Sequence, residues 1–351
     1  MTRDEVLAAI AANKTLDGLS LAGLDLSGAD LTGGRFWGVD LSGADLSGAN
    51  ILKTGFRDCR LAGVRLAGTD LTKLDLREVD LTGADLRGAT IFMTNFSGAN
   101  LTEAKLSGTA LRWSVMQRAK LTRADCREAT VEKLLLQDAD LTGADFSKAS
   151  ISRMVVLKAD LTSTDFTGAS FFKSVLRQCD LREKSLRGQR WHTVLADECD
   201  LRDADFSGAD ITMSNFLKAR ADRANFTGAV AQHALFKETS LQKAVFAGAD
   251  CRQAFFGQAD LTGADFTGAS LGAASFAGAL CRGTRFGGAD LGYADFSQAN
   301  LTFANFAGAR LYMAKLHGVL TDNTYWEDAR DTRLRGHDKD LEEAETWTPP
   351  A

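Results

Sequence analysis

Proline is nearly absent: the 351-residue chain contains two, Pro349 and Pro350. A body without proline is what a chain needs if its backbone N–H groups pair along the whole length. Long apolar runs are missing as well. No stretch reaches the roughly 18 apolar residues of a spanning helix, so no membrane segment is expected. A strong charge is also lacking. Forty-one Lys and Arg stand against 46 Asp and Glu, a net −5, so no broad basic field exists to attract nucleic acid or anionic lipid. Histidine is scarce and scattered, at His192, His233, His317 and His337. No glycine-rich phosphate loop joins a strand to a helix, and no nucleophile motif occurs. The opening MTRDEVLAAIAANK sets acids inside a short apolar segment with no cleavage-site pattern, which argues against a signal peptide.

What the chain does have is a period of five. Every fifth residue from Leu16 to Leu316 is apolar: of 61 positions, 30 are Leu, 17 Phe, four Ile, two Val, one Met, one Trp, three Cys and three Ala. The register never slips between those ends, so no insertion loop interrupts it. Two residues before each centre stands a small residue, most often Ala, then often Asp or Asn. After the centre come Ser, Thr or Arg, then frequently Gly, as in VDLSGADLSGAN at 39–50. Neither the helical period of 3.6 nor the strand period of 2 fits this spacing. A five-residue unit cannot bury its own apolar side chain, so it has to stack on copies of itself.

The units A-D-L-S-G, A-D-L-T-G and A-N-L-T, held in register over residues 14–318, closely resemble the pentapeptide-repeat family. The resemblance implies an all-β solenoid: a right-handed quadrilateral β-helix of about 15 coils, four pentapeptides to a coil. The centre and the small residue two before it would point inward, the other three outward. Stacking at twenty residues then sorts the centres into ladders. One is almost pure Leu, from Leu21 and Leu41 to Leu201 and Leu301; two others become Phe ladders, from Phe206 to Phe306 and from Phe216 to Phe296. These Phe belong to packing. Thr2 and Glu5 have capping-box spacing ahead of Val6, Leu7 and Ile10, so residues 1–13 are expected to carry a short helix covering the first coil. Residues 319–351 are expected to be a C-terminal extension, in which DKDLEEAETW could form a short helix.

The register also sorts the reactive side chains. Cys126, Cys251 and Cys281 fall at centres and Cys59, Cys179 and Cys199 at the small inward position, so all six are expected to be buried, reduced and hydrophobic in role. Cys179 and Cys199 lie one coil apart on one ladder, but reduced thiols fit a reducing, cytoplasmic compartment. His192 and His233 fall about two coils apart, roughly 10 Å at the strand spacing, too far to share a metal. The many Asp residues would stand on convex, solvated walls, where nothing shifts their pKa for acid–base work. The expectation is therefore no enzyme, no cofactor and no metal. In RWHTVLAD (190–197), Trp191 takes a centre and the next centre is Ala196, a large–small pair that conserves volume. Lys184 and Gln189, the long polar chains at small inward positions, are expected to snorkel outward or bulge the corner.

Specificity must then reside outside. The position before each centre is apolar at eleven of 61 sites, and seven of these share one column: Val115, Leu135, Val155, Val175, Leu195, Leu235 and Phe255, with Asn215 interrupting. Trp113, Lys133, Arg153 and Lys173 fall at the preceding corner, and Leu157 and Leu217 on the other flank. A line of outward apolar residues of a few hundred Å² is the scale at which a patch usually means contact. The basic fringe suits an acidic, amphipathic protein partner. Self-association as a homodimer, or cover by the C-terminal tail, are the other readings; direct nucleic-acid or membrane binding is not expected.

The family resemblance brings two named functions. Its best-known members are quinolone-resistance factors whose acidic rod resembles B-DNA and occupies DNA gyrase. Asp125, Asp145, Asp165 and Asp205 line one wall, with Asp140, Asp160, Asp180 and Asp200 on the next, yet Arg and Lys interleave and the protruding loops of several members are lacking. The closing stretch YADFSQANLTFANFAGARLYMAKLHGV, with GHDKDLEEAETWTPP beyond it, is similar to pentapeptide-repeat proteins associated with bacterial type VI secretion. That likeness implies a non-enzymatic adaptor that helps load an effector onto the secretion spike.

Overall fold

The structure, a computed structural model, describes residues 1–330. They belong to two compact units, Met1–Asp180 and Leu181–Ala351. In both, neighbouring coils pair in parallel between residues twenty apart. Ser20 bridges Asp40, Asp25 bridges Asp45 and Asp30 bridges Asn50, while Arg35 pairs with Gly55. Four ladders per twenty residues make an all-β solenoid with four walls.

The repeat can be read atom by atom. The centre is sealed, as in most coils is the residue two before it, usually Ala but also Leu74, Leu134 or Met154. The Asp between them points out and accepts the N–H of the residue two later, as from Ser27 to Asp25 Oδ1 at 2.9 Å and from Ser42 to Asp40 Oδ1 at 3.0 Å. This Asx turn supplies the partner that the corner N–H would otherwise lack. It also explains why Ser or Thr follows the centre: the Thr32 hydroxyl donates to Asp30 Oδ1 at 2.5 Å. The next residue then turns the corner in the left-handed region, where glycine alone carries no Cβ penalty, as at Gly228 (φ +62°).

The first unit opens with α1 (Arg3–Ala11). Thr2 caps it: Glu5 N–H donates to Thr2 Oγ1, and Thr2 N–H to Glu5 Oε2 at 2.7 Å. Val6 is fully buried, and Arg3 donates to the Ser27 carbonyl at 2.8 Å, so the helix covers the first coil as its capping signature predicts. One three-stranded parallel sheet follows, β1 (Thr15–Asp17), β2 (Arg35–Trp37) and β3 (Gly55–Arg57). Further along, β4 (Thr90–Phe92), β5 (Ala110–Arg112), β6 (Thr130–Glu132), β8 (Ser150–Ser152) and β10 (Ser170–Phe172) build one wall. The adjoining wall carries β7 (Leu135–Gln137), β9 (Val155–Leu157) and β11 (Val175–Arg177). These segments are rich in Val, Ile, Thr and Ser, which favour a pleated, half-buried surface.

In the second unit the described residues hold one strand, β12 (Arg190–His192), and are otherwise joined by single bridges. Its core is aromatic. Phe206, Phe226, Phe246, Phe266, Phe286 and Phe306 stack at centroid spacings of 4.6–5.4 Å. Phe216 to Phe296 do so at 4.7–5.0 Å. The two ladders meet edge to face, as in Phe236 against Phe246 at 86°. Trp191 is fully buried, edge-on to Phe206 at 5.4 Å, and Ala196 is sealed beside it in the sequence of centres. Gln189 departs from expectation. It neither snorkels nor bulges, but is buried and accepts the Trp191 indole N–H at 3.3 Å, which removes the cost of burying both polar groups.

All six cysteines are buried. Burial pushes the Cys59 thiol up to about 11, and those of Cys126, Cys251 and Cys281 higher still. The bridging register does not stop at 318: Asn300 pairs Leu320, Asn305 pairs Tyr325 and Arg310 pairs Arg330, with Trp326 stacked on Phe306 at 4.4 Å. The coil count therefore departs slightly from fifteen. The helix anticipated in DKDLEEAETW, and the rest of the extension after residue 330, lie outside the described residues.

Candidate protein-interaction site

In the first unit the outward apolar column is continuous. Val115 bridges Leu135, which pairs Val155, which pairs Val175. Adjacent members are one strand spacing apart, about 4.8 Å. All four are half-buried, as is Leu157 on the flank. The ridge is therefore lower than a row of exposed side chains would be. Trp113, Lys133, Arg153 and Lys173 do line the preceding corner, all in the left-handed region with φ between 49° and 55°.

That fringe is more engaged than the sequence indicated. The Lys133 ammonium sits 3.2 Å from the Trp113 ring centroid, and Lys173 lies 5.0 Å from the ring of Phe172. Arg153 pairs with Glu132 at 3.6 Å. Cation–π contact and an exposed ion pair each contribute about 1 kcal/mol or less, so the cations remain available to a partner while being held in place. Phe172, 43 % exposed, is the residue that sequence reasoning missed here. It stands one after the centre Phe171, the same repeat position as Leu157 and Leu217.

In the second unit the same column reads Leu195, Asn215, Leu235 and Phe255, bridged in that order. Leu195 and Leu235 are exposed, at 39 % and 42 %, and Phe255 is half-buried. Asn215 breaks the apolar line, its Oδ1 accepting the Leu217 N–H at 2.9 Å. Leu217 is half-buried beside it.

The acidic walls are built as expected but are not bare. Asp125, Asp145 and Asp165 bridge in line, and Asp160 bridges Asp180. Arg127 grips Asp125 through two bonds of 2.8 Å and approaches Asp145 at 3.8 Å. Hydrogen bonding from Arg127 holds Asp125 below the usual carboxylate range. Among the described residues, no group of three His, Cys, Asp or Glu side chains is placed to hold a metal ion. No helix there is long and apolar enough to cross a membrane.

Four walls, a five-residue register and a sealed Leu/Phe interior define a β-solenoid of stacked pentapeptides. The family described as Pentapeptide repeats matches the chain in successive segments from 15–48 through 119–153 to 279–318, and the chain belongs to that family. Among solved structures it is similar to HetL, a pentapeptide repeat protein involved in heterocyst differentiation regulation from the cyanobacterium Nostoc sp. strain PCC 7120. Identity is 24 % over 76 % of this chain and 89 % of that one, with a TM-score of 0.22. It is also similar to QnrB1, a plasmid-mediated fluoroquinolone resistance protein, at 14 % identity over 80 % and 94 % with a TM-score of 0.19. A pentapeptide repeat protein of the Arabidopsis thaliana thylakoid lumen shares 28 % identity over 42 % and 72 %, with a TM-score of 0.19. No curated protein shows significant sequence similarity to the chain.

Proposed function

We propose that this protein is a non-enzymatic interaction scaffold that takes a protein partner along Val115, Leu135, Val155 and Val175. The observation carrying this reading is the ladder itself: four branched apolar side chains in one line, at a position that elsewhere in the chain is mostly Asp, Asn, Ser or Arg. Trp113, Lys133, Arg153 and Lys173 form its basic edge, so the partner is acidic and amphipathic. Leu195, Leu235 and Phe255 stand at the same repeat position within the second unit. The finer reading, drawn from the likeness of residues 293–319 and 336–350, is a cytoplasmic adaptor of a type VI secretion system that holds an effector or spike component. Six buried free thiols agree with a reducing compartment.

The test is Leu135→Asp, Val155→Asp and Val175→Asp together. Asp is native in three successive coils at Asp125, Asp145 and Asp165, so the backbone accepts it and folding is retained. Partner proteins recovered from native cells should be lost, with at least a tenfold drop in affinity, about 1.4 kcal/mol. Unchanged recovery contradicts the ridge. A second reading, gyrase binding, is favoured by the Asp125–Asp145–Asp165 line alone. Inhibition of gyrase supercoiling by the purified chain would support it, whereas recovery of secretion components supports the adaptor. Sedimentation of the wild type and the triple variant tests the homodimer: a dimer that the substitutions dissociate assigns the ridge to self-association.

A further inference from the structure

The second unit carries a shallow groove of about 330 Å³ that the interaction column does not use. It lies where Gly272, Ala273 and Gly292 strip side chains from successive coils, leaving a backbone floor. Tyr293 forms one wall, with its ring 59 % exposed. Tyr312 meets that ring edge-on at 5.4 Å and 84°, which fixes the platform's orientation. Gln232, Arg252 and Gln253 form the opposite side.

The polar side is pre-arranged. Arg252 clasps Asp250 through Nε at 2.8 Å and Nη2 at 2.6 Å, and Gln232 Nε2 donates to Asp250 Oδ2 at 2.7 Å. The ion pair cancels charge locally, so the groove favours a neutral ligand. Gln232 and Gln253 line the groove; with its Nε2 donating to Asp250, Gln232 offers an amide oxygen, and Gln253 brings both an amide donor and an acceptor. From the Arg252 coil to the Tyr312 coil is about 14 Å at the strand spacing, long enough for two pyranose rings.

We propose that this groove is a binding subsite for a neutral oligosaccharide. A sugar ring offers a C–H face that packs on an aromatic ring and an equatorial belt of hydroxyls, each needing a donor and an acceptor. Tyr293 supplies the platform; Arg252, Gln232 and Gln253 supply the belt's partners. A proline-rich peptide would also stack on Tyr293, but its carbonyls only accept, leaving the glutamine oxygens unmatched.

The test uses the full chain with cellohexaose, xylohexaose, maltohexaose and chitohexaose as probes, read by saturation-transfer NMR and calorimetry. At least one should bind, with saturation concentrated on ring C–H protons. Tyr293→Ala should weaken it at least tenfold, Tyr293→Phe should keep it within threefold, and Gln253→Ala should weaken it severalfold. No binding by any of the four, binding unchanged in Tyr293→Ala, or binding of decaproline in place of the sugars would overturn the proposal.

Discussion

The two units follow one rule with different materials. The first packs mainly Leu at its centres and draws parts of its walls into strands; the second packs Phe in facing ladders and, among the described residues, has one strand, β12, beside single bridges. The centres beside the Phe ladders vary in size: Phe216 and Phe226 share their coil with Ala221 and Ala231, but Phe256 and Phe266 share theirs with Leu261 and Leu271. The pentapeptide therefore specifies the path of the backbone and accepts more than one apolar filling of a coil. The outward residues are freed from packing, and there the units differ in another way. The first presents an unbroken apolar column with cations at its corner, the second an interrupted one together with a tyrosine-walled groove.

Breaking the packing should expose the difference most. Phe246→Ala, in the middle of a stack that also meets Phe236 and Phe256 edge-on, should cost about 3–5 kcal/mol, and Leu121→Ala in the first unit about 2–4. Denaturant unfolding followed by amide exchange should place each loss in its own unit, since stacked repeats couple mainly to their neighbours. Equal loss of protection in both units would contradict nearest-neighbour coupling. Acid should come next. Hydrogen bonding from Ser27 holds Asp25 below its ordinary 3.8, and that from Arg252 holds Asp250 at about 2. Carboxylates depressed on folding stabilise fully above 3.8, and this contribution is lost as pH falls through the folded values. Urea midpoints should thus fall between about pH 4 and pH 2, and less steeply in Asp250→Asn. The smallest effect concerns the corners. Gly228→Ala meets nothing within 4 Å, so its cost is that of the left-handed backbone alone, about 1 kcal/mol by thermal unfolding.

Much of the fold was legible because a five-residue period leaves one way to bury its apolar member. Thr2 and Glu5 announced their cap, and Cys126 and Cys251 their burial, from register alone. The function of Gln189 was not legible, because its partner is the indole of Trp191 two residues on, and side-chain direction is not contained in periodicity. The candidate site was half-legible. Spacing placed Val115, Leu135, Val155 and Val175 in one column, but could not tell that neighbours would half-cover them, or that Lys133 would lie on Trp113. Tyr293 and its groove escaped notice because their signal is the loss of side chains at Gly272 and Gly292, which in a chain with 33 glycines reads as more of the same.

Thiol accessibility tests the central claim most directly, since the cysteines sample both inward positions of the register in both units. With a disulfide reagent under native conditions, the account predicts that none of the six reacts on the timescale of exposed thiols and that all six react once denaturant is added. Rapid native labelling of Cys126, Cys251 or Cys281 would place a centre residue outside the solenoid and contradict the register on which every outward assignment depends.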